Sequence, residues 1–339
     1  MIPDNPLMCR AWRISPMKFL LLSLCALLTL SLSFELMAMP TLTVADRQIA
    51  ITIDDLPAAA SSAMTGAAIV QMTAKLLAAL QQERVPAVGF VNERKLYHKW
   101  GEVDERIGAL NQWLDAGFEL GNHTFGHTSL NQVGLKEFEE SVIQGETVTR
   151  LLMAQHGKKL RYFRHPYLDT GRDLQTRREV EAFLVSRGFR IAPVTMDAWD
   201  WNFAGVYDDA KKRDDKALQQ EVVSNYLSYH TAVFDYFEKL SKDLLGYEPR
   251  QILLLHANNL EADHIRELIE LLRKRGYRFI TLEEALSDGA YGLPDTYVGE
   301  EGRGWIEHWA ITMGRPPRGA PVFPESIGDR AKLLPHPQP

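Results

Sequence analysis

The stretch "RQIAITIDDLP" (residues 47–57) decides the fold of this chain. Its three isoleucines occupy every second position and alternate with Ala and Thr, which is the periodicity of a β-strand. Asp54 and Asp55 follow side by side, and Pro57 ends the strand. Neighbouring carboxylates repel each other, and burying either one without a partner is costly. The stretch therefore predicts a buried strand that ends at a polar site, where each carboxylate has a positive partner.

Strand and helix patterns alternate along the chain that follows. The predicted strands are 48–54, 86–91, 118–123, 160–165, 189–196, 251–256 and 277–282. The predicted helices are 68–83, 104–116, 135–155, 174–187, 216–245, 260–275 and 282–287. Such an alternation predicts a parallel sheet or barrel of about seven β/α units.

The composition is that of an ordinary globular protein, with 45% hydrophobic and 24% charged residues in a chain of 339. A formal net charge of -6 gives no basic surface for nucleic acid, so we expect no nucleic-acid partner. Beyond the N-terminal leader, no segment is apolar enough to span a membrane.

The N-terminus has the three-part layout of a secretory signal peptide. Basic residues precede the apolar run "FLLLSLCALLTLSLSF", and small residues follow up to Ala38. We expect a signal peptide over residues 1–38, with Met17 as an alternative start, and an exported protein that is periplasmic or secreted. An uncleaved membrane anchor is the alternative. Both cysteines, Cys9 and Cys25, lie in this leader, so a metal site in the mature chain would use only oxygen and imidazole ligands.

The C-terminal part differs in composition from the alternating region. From residue 288 onward it is rich in Gly and Pro, as in "GLPDTYVGEEGRGW". Residues 288–339 are therefore predicted to be an irregular tail with one short helix near "WIEHWA", fraying after about residue 320.

Polar clusters follow the predicted strands at their C-terminal ends, where β/α barrels carry their chemistry. The clusters are "TIDD" (52–55), "GNHTFGH" (121–127), "RHPY" (164–167), "DAWDW" (197–201) and "LLLHAN" (253–258). Because the ends of parallel strands meet at one edge, these clusters predict a single site at the mouth of the barrel.

A metal is the expected partner of Asp55. His123 and His127 are four residues apart, so one helical turn would present both imidazoles to a common point that suits a divalent metal. Asp55 as a third ligand leaves open positions for water. The cation would offset the repulsion between the two aspartates and hold Asp55 ionised. A histidine pair with this spacing also occurs on surfaces that bind no metal.

Arg164 is the expected partner of Asp54, because the guanidinium of a residue at a strand end could reach the same mouth. The alternative is a solvated surface arginine. Asp200 could orient Arg164, and Trp201 offers a flat face for a sugar ring, although it could equally pack in a core or lid.

His256 ends a strand of apolar residues that would be buried on both sides. It is a candidate general acid, and the alternative is a core histidine with satisfied hydrogen bonds. Leu254, two residues earlier on the same side of the strand, would line the pocket beneath.

Taken together, the motifs "TIDD", "HTFGH", "RHPY", "DAWDW" and "LLLH" resemble those of the polysaccharide deacetylase family, the NodB homology domain of carbohydrate esterases. The resemblance covers residues 46–287, which we take as the catalytic barrel. It implies a distorted, incomplete (β/α)7 TIM-like barrel of NodB type. It also implies one divalent metal, usually Zn²⁺, with Co²⁺, Ni²⁺ or Mn²⁺ as alternatives.

The family motifs assign roles to individual residues. Asp54 matches the catalytic base, and Arg164 matches the arginine that orients it. The resemblance makes Asp55, His123 and His127 the metal ligands. Tyr167 matches the residue whose backbone N–H helps to hold the oxyanion, and His256 matches the general acid. Asp200 matches the aspartate that tethers the arginine. Trp201 matches a residue beside the substrate groove, and Leu254 matches one in the wall of the pocket for the acetyl methyl group.

Three departures from the family pattern lie near the site. His165 stands where proline is common, "YLDTG" replaces a shorter glycine turn, and "HAN" replaces the usual His-Asp after the last motif. These departures leave the metal ligands in place but affect the loop that carries Tyr167 and the surroundings of His256.

The resemblance implies a hydrolase that acts on carbon–nitrogen bonds other than peptide bonds. Its expected substrate is an N-acetylated sugar of a chitin- or peptidoglycan-like polysaccharide or oligosaccharide. Two alternatives keep the same site, namely an esterase of O-acetylated glycans and an amidase of small molecules. A third is a catalytically silent carbohydrate-binding protein.

Overall fold

The computed structural model describes residues 47–334, and the predicted signal peptide lies outside them. In this range, eight parallel strands form one sheet. The strands are β1 (Arg47–Leu56), β2 (Ala87–Val91), β3 (Glu119–Asn122), β4 (Tyr162–Phe163), β5 (Arg190–Ile191), β6 (Met196–Asp197), β7 (Gln251–His256) and β8 (Tyr277–Phe279).

The helices cover the sheet between successive strands. They are α1 (Gly66–Gln82), α2 (Val103–Asp115), α3 (Leu135–Gln144), α4 (Thr147–Gln155), α5 (Leu174–Ser186), α6 (Asp200–Lys212), α7 (Lys216–Leu245), α8 (Asn259–Lys274), α9 (Leu282–Ala285), α10 (Trp305–Thr312) and α11 (Glu325–Lys332).

The predicted first strand lies at the centre of the sheet, whose order is β5-β4-β3-β2-β1-β7-β6. β2 pairs with one edge of β1, while β7 and β8 share the other edge. The isoleucines Ile49, Ile51 and Ile53 are almost fully buried, and so are Ala50 and Thr52 between them. Both faces of β1 are therefore covered, as in parallel sheets with helices on each side.

The sheet curls into an incomplete barrel. The single strand predicted at 189–196 is instead divided into β5 and β6, which lie at opposite edges of the sheet. Pro193 between them has no N–H to donate to a ladder. Ala192 donates to Phe163 at one edge and Thr195 donates to Ile252 at the other, so four residues bridge the gap. The predicted distorted, incomplete (β/α)7 barrel is thus confirmed.

Two helix predictions need correction. The predicted helix at 135–155 is broken into α3 and α4 at Gly145, where an added Cβ would lie 2.6 Å from the backbone of Phe125. The sequence pattern does not predict helix α6. Tertiary packing stabilises this helix, because its Phe203 and Tyr207 are buried between α7 and α8.

The prediction that the chain frays after about residue 320 is wrong. Residues 325–332 form α11, and its Ile327 is fully buried. Just before this helix, the ring of Phe323 lies 4.8 Å from that of Phe203 and 5.1 Å from that of Tyr229. A few aromatic contacts hold this segment, and these contacts produce no periodic pattern in the sequence.

Candidate metal and catalytic site

Asp54 and Asp55 face the same site although neighbouring residues of a strand normally point to opposite faces. The pairing of β1 with β2 shifts between Ile53 and Leu56, where β1 contains one extra residue. Such a bulge re-aims side chains. Asp55 also has a φ of 70°, in the left-handed region. The bulge and this backbone turn together bring both carboxylates to the mouth of the barrel.

His123 and His127 converge through a loop, which corrects the expectation of a helical turn. The loop follows β3, and Thr124 and His127 have φ values of 62° and 56°. Their imidazole centroids lie 4.9 Å apart. The His123 Nδ1–H donates to the backbone carbonyl of Arg164 at 2.9 Å, which leaves Nε2 directed into the site.

Neighbouring polar groups hold this loop in place. The Asn92 side chain donates to the carbonyl of His123 at 2.5 Å, and the Asn122 side chain accepts from the N–H of Thr124 at 2.7 Å. Gly145 allows the turn between α3 and α4 to approach the loop closely, and Phe125 donates to Ser141 at 2.8 Å.

The three predicted ligands fit a divalent metal. One ligand atom each from Asp55, His123 and His127 lies within 4.8 Å of the other two. Burial lowers the pKa of His127 to about 4 and that of His123 well below its usual range, so both imidazoles are neutral, as metal ligands must be. One carboxylate and two imidazoles are donors that suit Zn²⁺.

Lys95 gives Asp55 a second positive neighbour, which was not predicted. Its side chain is 1% exposed, and its Nζ lies 3.0 Å from Asp55 Oδ1. Burial alone would raise the pKa of Asp55, but Lys95, with smaller contributions from the nearby histidines, holds it well below its usual range. Asp55 is therefore ionised whether or not a metal is bound.

Asp54 pairs with Arg164, as predicted. Arg164 is fully buried, and its Nη1 donates to Asp54 Oδ2 at 3.2 Å. Its other donors bind the carbonyl of Ala192 at 2.7 Å and the hydroxyl of Thr52 at 2.9 Å, which fixes the guanidinium plane. Burial raises the pKa of Asp54 to about 6 despite the attraction of Arg164. A base with such a pKa is suited to accept a proton near neutral pH.

Asp200 binds His256 rather than Arg164, which corrects the predicted tether. The His256 Nδ1–H donates to Asp200 Oδ1 at 2.7 Å, and the backbone N–H of His256 donates to Oδ2 at 3.0 Å. The Asn258 side chain completes the set at 2.9 Å. Burial alone would lower the pKa of His256, but Asp200 raises it to about 10. His256 therefore carries a proton at neutral pH.

The other predicted site residues line a cavity of about 710 Å³ together with these groups. Tyr167 has a φ of 57° and its ring contacts that of His127, with centroids 4.3 Å apart. Leu254 forms a small apolar cluster with Leu168 and Val194. Trp201, in the first turn of α6, is 47% exposed. Arg164 and Asp200 lie behind the cavity wall.

Comparisons with known proteins agree with this geometry. A family model described as polysaccharide deacetylase matches residues 41–183. A chitin deacetylase of Colletotrichum lindemuthianum is 25% identical over 242 residues, covering 71% of this chain and 79% of that protein. A peptidoglycan-N-acetylglucosamine deacetylase of Bacillus cereus is 23% identical over 241 residues, covering 69% of this chain and 66% of that protein.

The comparisons support a polysaccharide deacetylase domain in this chain.

Two further proteins were found among solved structures with a similar backbone. One is a family 4 carbohydrate esterase of Streptomyces lividans in complex with acetate, with 21% identity, a TM-score of 0.44 and coverage of 71% of this chain and 96% of that one. The other is a family 4 pseudoenzyme of Bacillus anthracis, with 18% identity, a TM-score of 0.47 and coverage of 71% and 66%. Within residues 47–334, the chain has no helix long and apolar enough to cross a membrane.

Lys95 and Asp197 also line the cavity, although the sequence motifs assign neither of them a role. Lys95 follows the end of β2, and Asp197 is the first aspartate of "DAWDW", so both lie at strand ends where polar residues deserve inspection. Burial raises the pKa of Asp197 to about 6. Arg303 and Glu307 also line the cavity, but they are distant in sequence from every motif, so no local signal indicates them.

Replacing a proposed ligand should abolish metal binding. His123→Ala or Asp55→Ala removes one of three donors, and we expect Zn²⁺ affinity to fall by about 100-fold or more. Titration calorimetry on metal-free protein measures this directly. His264→Ala, a histidine outside the site, is the control and should bind normally. Unchanged affinity in the ligand variants would contradict the assigned site.

Removing the charge of Lys95 should strengthen metal binding. Lys95→Met deletes a buried cation 3.0 Å from Asp55 Oδ1 that repels an incoming metal, so we expect Zn²⁺ to bind about tenfold more tightly. Lys95→Arg keeps the charge and should stay near the wild-type affinity. Competition with a chromophoric chelator reports both values, and weaker binding by Lys95→Met would show that the repulsion is not the dominant effect.

Proposed function

We propose that this protein is a metal-dependent hydrolase that removes acetyl groups from N-acetylated sugars of a chitin- or peptidoglycan-like glycan. The observation that carries the proposal is the convergence of Asp55, His123 and His127 beside two ion pairs, Asp54 with Arg164 and His256 with Asp200. The names of the two curated relatives, a chitin deacetylase and a peptidoglycan-N-acetylglucosamine deacetylase, support the substrate class.

Asp55, His123 and His127 would hold the metal, with Zn²⁺ proposed first and Co²⁺, Ni²⁺ or Mn²⁺ as alternatives. When bound there, such a metal polarises a carbonyl and acidifies water. The two aspartates then have different tasks, because Asp55 lies against the histidines while Asp54 is held by Arg164.

Asp54 is proposed to take a proton from the attacking water. Its Oδ2 lies 3.6 Å from His123 Nε2, so it borders the metal position without belonging to the group of three ligands. Arg164 is proposed to orient this carboxylate, because Thr52 and the carbonyl of Ala192 hold its guanidinium in one plane. Preorganised charges of this kind cost no rearrangement during the reaction.

His256 is proposed to protonate the leaving nitrogen, which would otherwise depart as an unstable amide anion. Asp200 stabilises the imidazolium and fixes the ring, as the hydrogen bonds to Nδ1 and to the backbone N–H require. Because Nδ1 is engaged, the proton at Nε2 is the one available for donation. In this proposal Asp200 is a positioning residue for His256.

Tyr167 and Leu254 are proposed to receive the acetyl group. The backbone N–H of Tyr167 would stabilise the oxyanion, and the cluster of Leu168, Val194 and Leu254 would pack against the methyl group. Trp201, nearly half exposed at the cavity rim, offers a face on which a sugar ring stacks.

The proposal also covers the export of the protein and the boundaries of its domains. We infer a signal peptide at residues 1–38, a catalytic barrel at 46–287 and a periplasmic or secreted location, where acetylated glycans are found.

A release assay tests the activity: acetate is measured from acetylated glycans with and without chelator. Acetate release from N-acetyl chito-oligosaccharides that stops with chelator and returns with Zn²⁺ supports the proposal. Release from acetylated xylan alone would favour an O-acetyl esterase.

Removing the proposed base should separate catalysis from metal binding. Asp54→Asn keeps the shape of the side chain but cannot accept the proton, so kcat should fall roughly 10²- to 10⁴-fold while Zn²⁺ still binds. Acetate release and calorimetry measure the two properties on one sample. Near-normal turnover by Asp54→Asn would exclude Asp54 as the base.

The pH profile should respond to Asp200. Activity requires His256 to be protonated, so it is lost as pH rises through the pKa of His256, which Asp200 raises to about 10. Asp200→Asn removes that stabilisation, and the alkaline limb of kcat/KM should move to lower pH by about one unit or more. An alkaline limb that does not move would contradict the role of the pair. Asp209→Asn is the control, because Asp209 lies on the same helix but its carboxylate binds Arg213 outside the cavity lining.

A further inference from the structure

Part of the cavity wall is supplied by elements other than the loops at the strand ends. Loops at the strand ends line the part around the proposed metal site, but α7 contributes Tyr229, Val233, Tyr236 and Phe237, which repeat along one helix face. The chain after the barrel, which we call the C-terminal segment (residues 293–334), contributes a further wall that includes Arg303 and Glu307 as well as Ala320, Pro321 and Leu334.

Buried polar contacts anchor the C-terminal segment to the loops of the site. The Asn131 side chain donates to the carbonyls of residues 299 and 300 at 3.0 and 3.2 Å. Arg177 binds Asp295 at 2.7 Å, and the N–H of Trp305 donates to Val194 at 2.7 Å. Asn131, Arg177 and Val194 belong to three different parts of the barrel, so the segment is a fixed wall of the cavity.

Size and chemistry both point to a compact ligand. A cavity of about 710 Å³ is within the range of pockets that enclose one small molecule. The α7 face is mostly apolar and offers few hydrogen-bond partners, so the cavity can enclose only a few sugars, because each buried hydroxyl needs such a partner.

We propose that these walls restrict the substrate to a short N-acetylated oligosaccharide or to the end of a glycan chain, and exclude the interior of a long polysaccharide. This inference rests on the proposed deacetylase function and narrows its substrate class. Trp201 at the rim and the apolar α7 face would then contact the terminal sugars, and the acetyl group would lie at Leu254.

A substrate series of increasing length tests this inference. Acetate release is measured from N-acetyl chito-oligosaccharides of one to six sugars and from soluble glycol chitin, at equal concentrations of acetyl groups. We expect kcat/KM per acetyl group to be about tenfold higher for oligosaccharides of two to four sugars than for the polymer. Equal or better turnover of the polymer would overturn the inference but leave the deacetylase proposal intact. No release from any member would overturn both.

A second inference concerns Gly302 and is carried by a separate observation. A Cβ built on Gly302 would lie 2.1 Å from the carbonyl oxygen of Tyr167 and 2.4 Å from the carbonyl carbon of Leu168. Tyr167 and Leu168 themselves have φ values of 57° and 58°. Two successive residues in this strained region persist only where the surroundings hold them. The segment that holds them here lies about 135 residues later in the sequence.

We infer that Gly302 is a positioning residue for the Tyr167 N–H, the proposed oxyanion donor. Its missing side chain lets the C-terminal segment lie directly against the backbone of Tyr167 and Leu168. Any larger residue would force this backbone to shift, and a donor displaced by about 1 Å loses much of its effect on the transition state. This inference also rests on the proposed function.

Gly302→Ala tests this role, with Gly292→Ala as the matched control. Gly292 lies in the same C-terminal part of the chain, and its built Cβ meets no atom within 4 Å. For Gly302→Ala we expect kcat to fall roughly 10- to 100-fold with Zn²⁺ affinity close to that of the wild type. The melting temperature should also fall, because the added Cβ meets backbone atoms at 2.1–2.6 Å. Gly292→Ala should behave as the wild type in all three measurements.

Two results would overturn the inference while the proposed function stands. One is a normal kcat in Gly302→Ala, and the other is a loss of Zn²⁺ affinity in parallel with kcat, which would make the contact merely structural. Absence of acetate release from the wild type would overturn the proposed function and this inference together.

Discussion

Two adjacent carboxylates at the end of a buried strand are the constraint on which the rest of this site depends. Asp54 and Asp55 cannot share one environment, because like charges in contact destabilise each other. The fold separates them by a bulge and a left-handed residue, and gives each its own positive neighbour. Arg164 serves Asp54 from the fourth strand, and Lys95 serves Asp55 from the end of the second.

The same logic of paired charges extends across the mouth of the barrel. Burial raises the pKa of Asp54 to about 6, while Asp200 raises that of His256 to about 10. A carboxylate with a raised pKa and an imidazole with a raised pKa are the pair on which the proposed base and acid roles rest. Burial keeps the two other imidazoles of the site, His123 and His127, neutral.

Much of this arrangement was predictable from the sequence. Strand periodicity located β1, and the rule that barrels carry their chemistry at strand ends brought Asp55, His123, His127 and His256 to one mouth. The rule failed where a contact depends on side-chain direction. Asp200 was expected at Arg164 but reaches His256, because α6 begins at this residue and turns its carboxylate toward β7. Lys95 belongs to none of the sequence motifs, and only its burial beside Asp55 in the structure identifies it as a residue of the site.

Periodicity and local spacing act over a few residues, so they predicted alternating strands and helices of a parallel sheet or barrel and the five polar motifs at the strand ends, and the family resemblance added the distorted barrel. Only the tertiary structure decided that the predicted strand at 189–196 would divide between the two edges of the sheet. It also decided that Gly302, far along the chain, would lie against the Tyr167 loop. Contacts of this kind depend on the position of whole elements in space, and no local pattern of residues encodes that position.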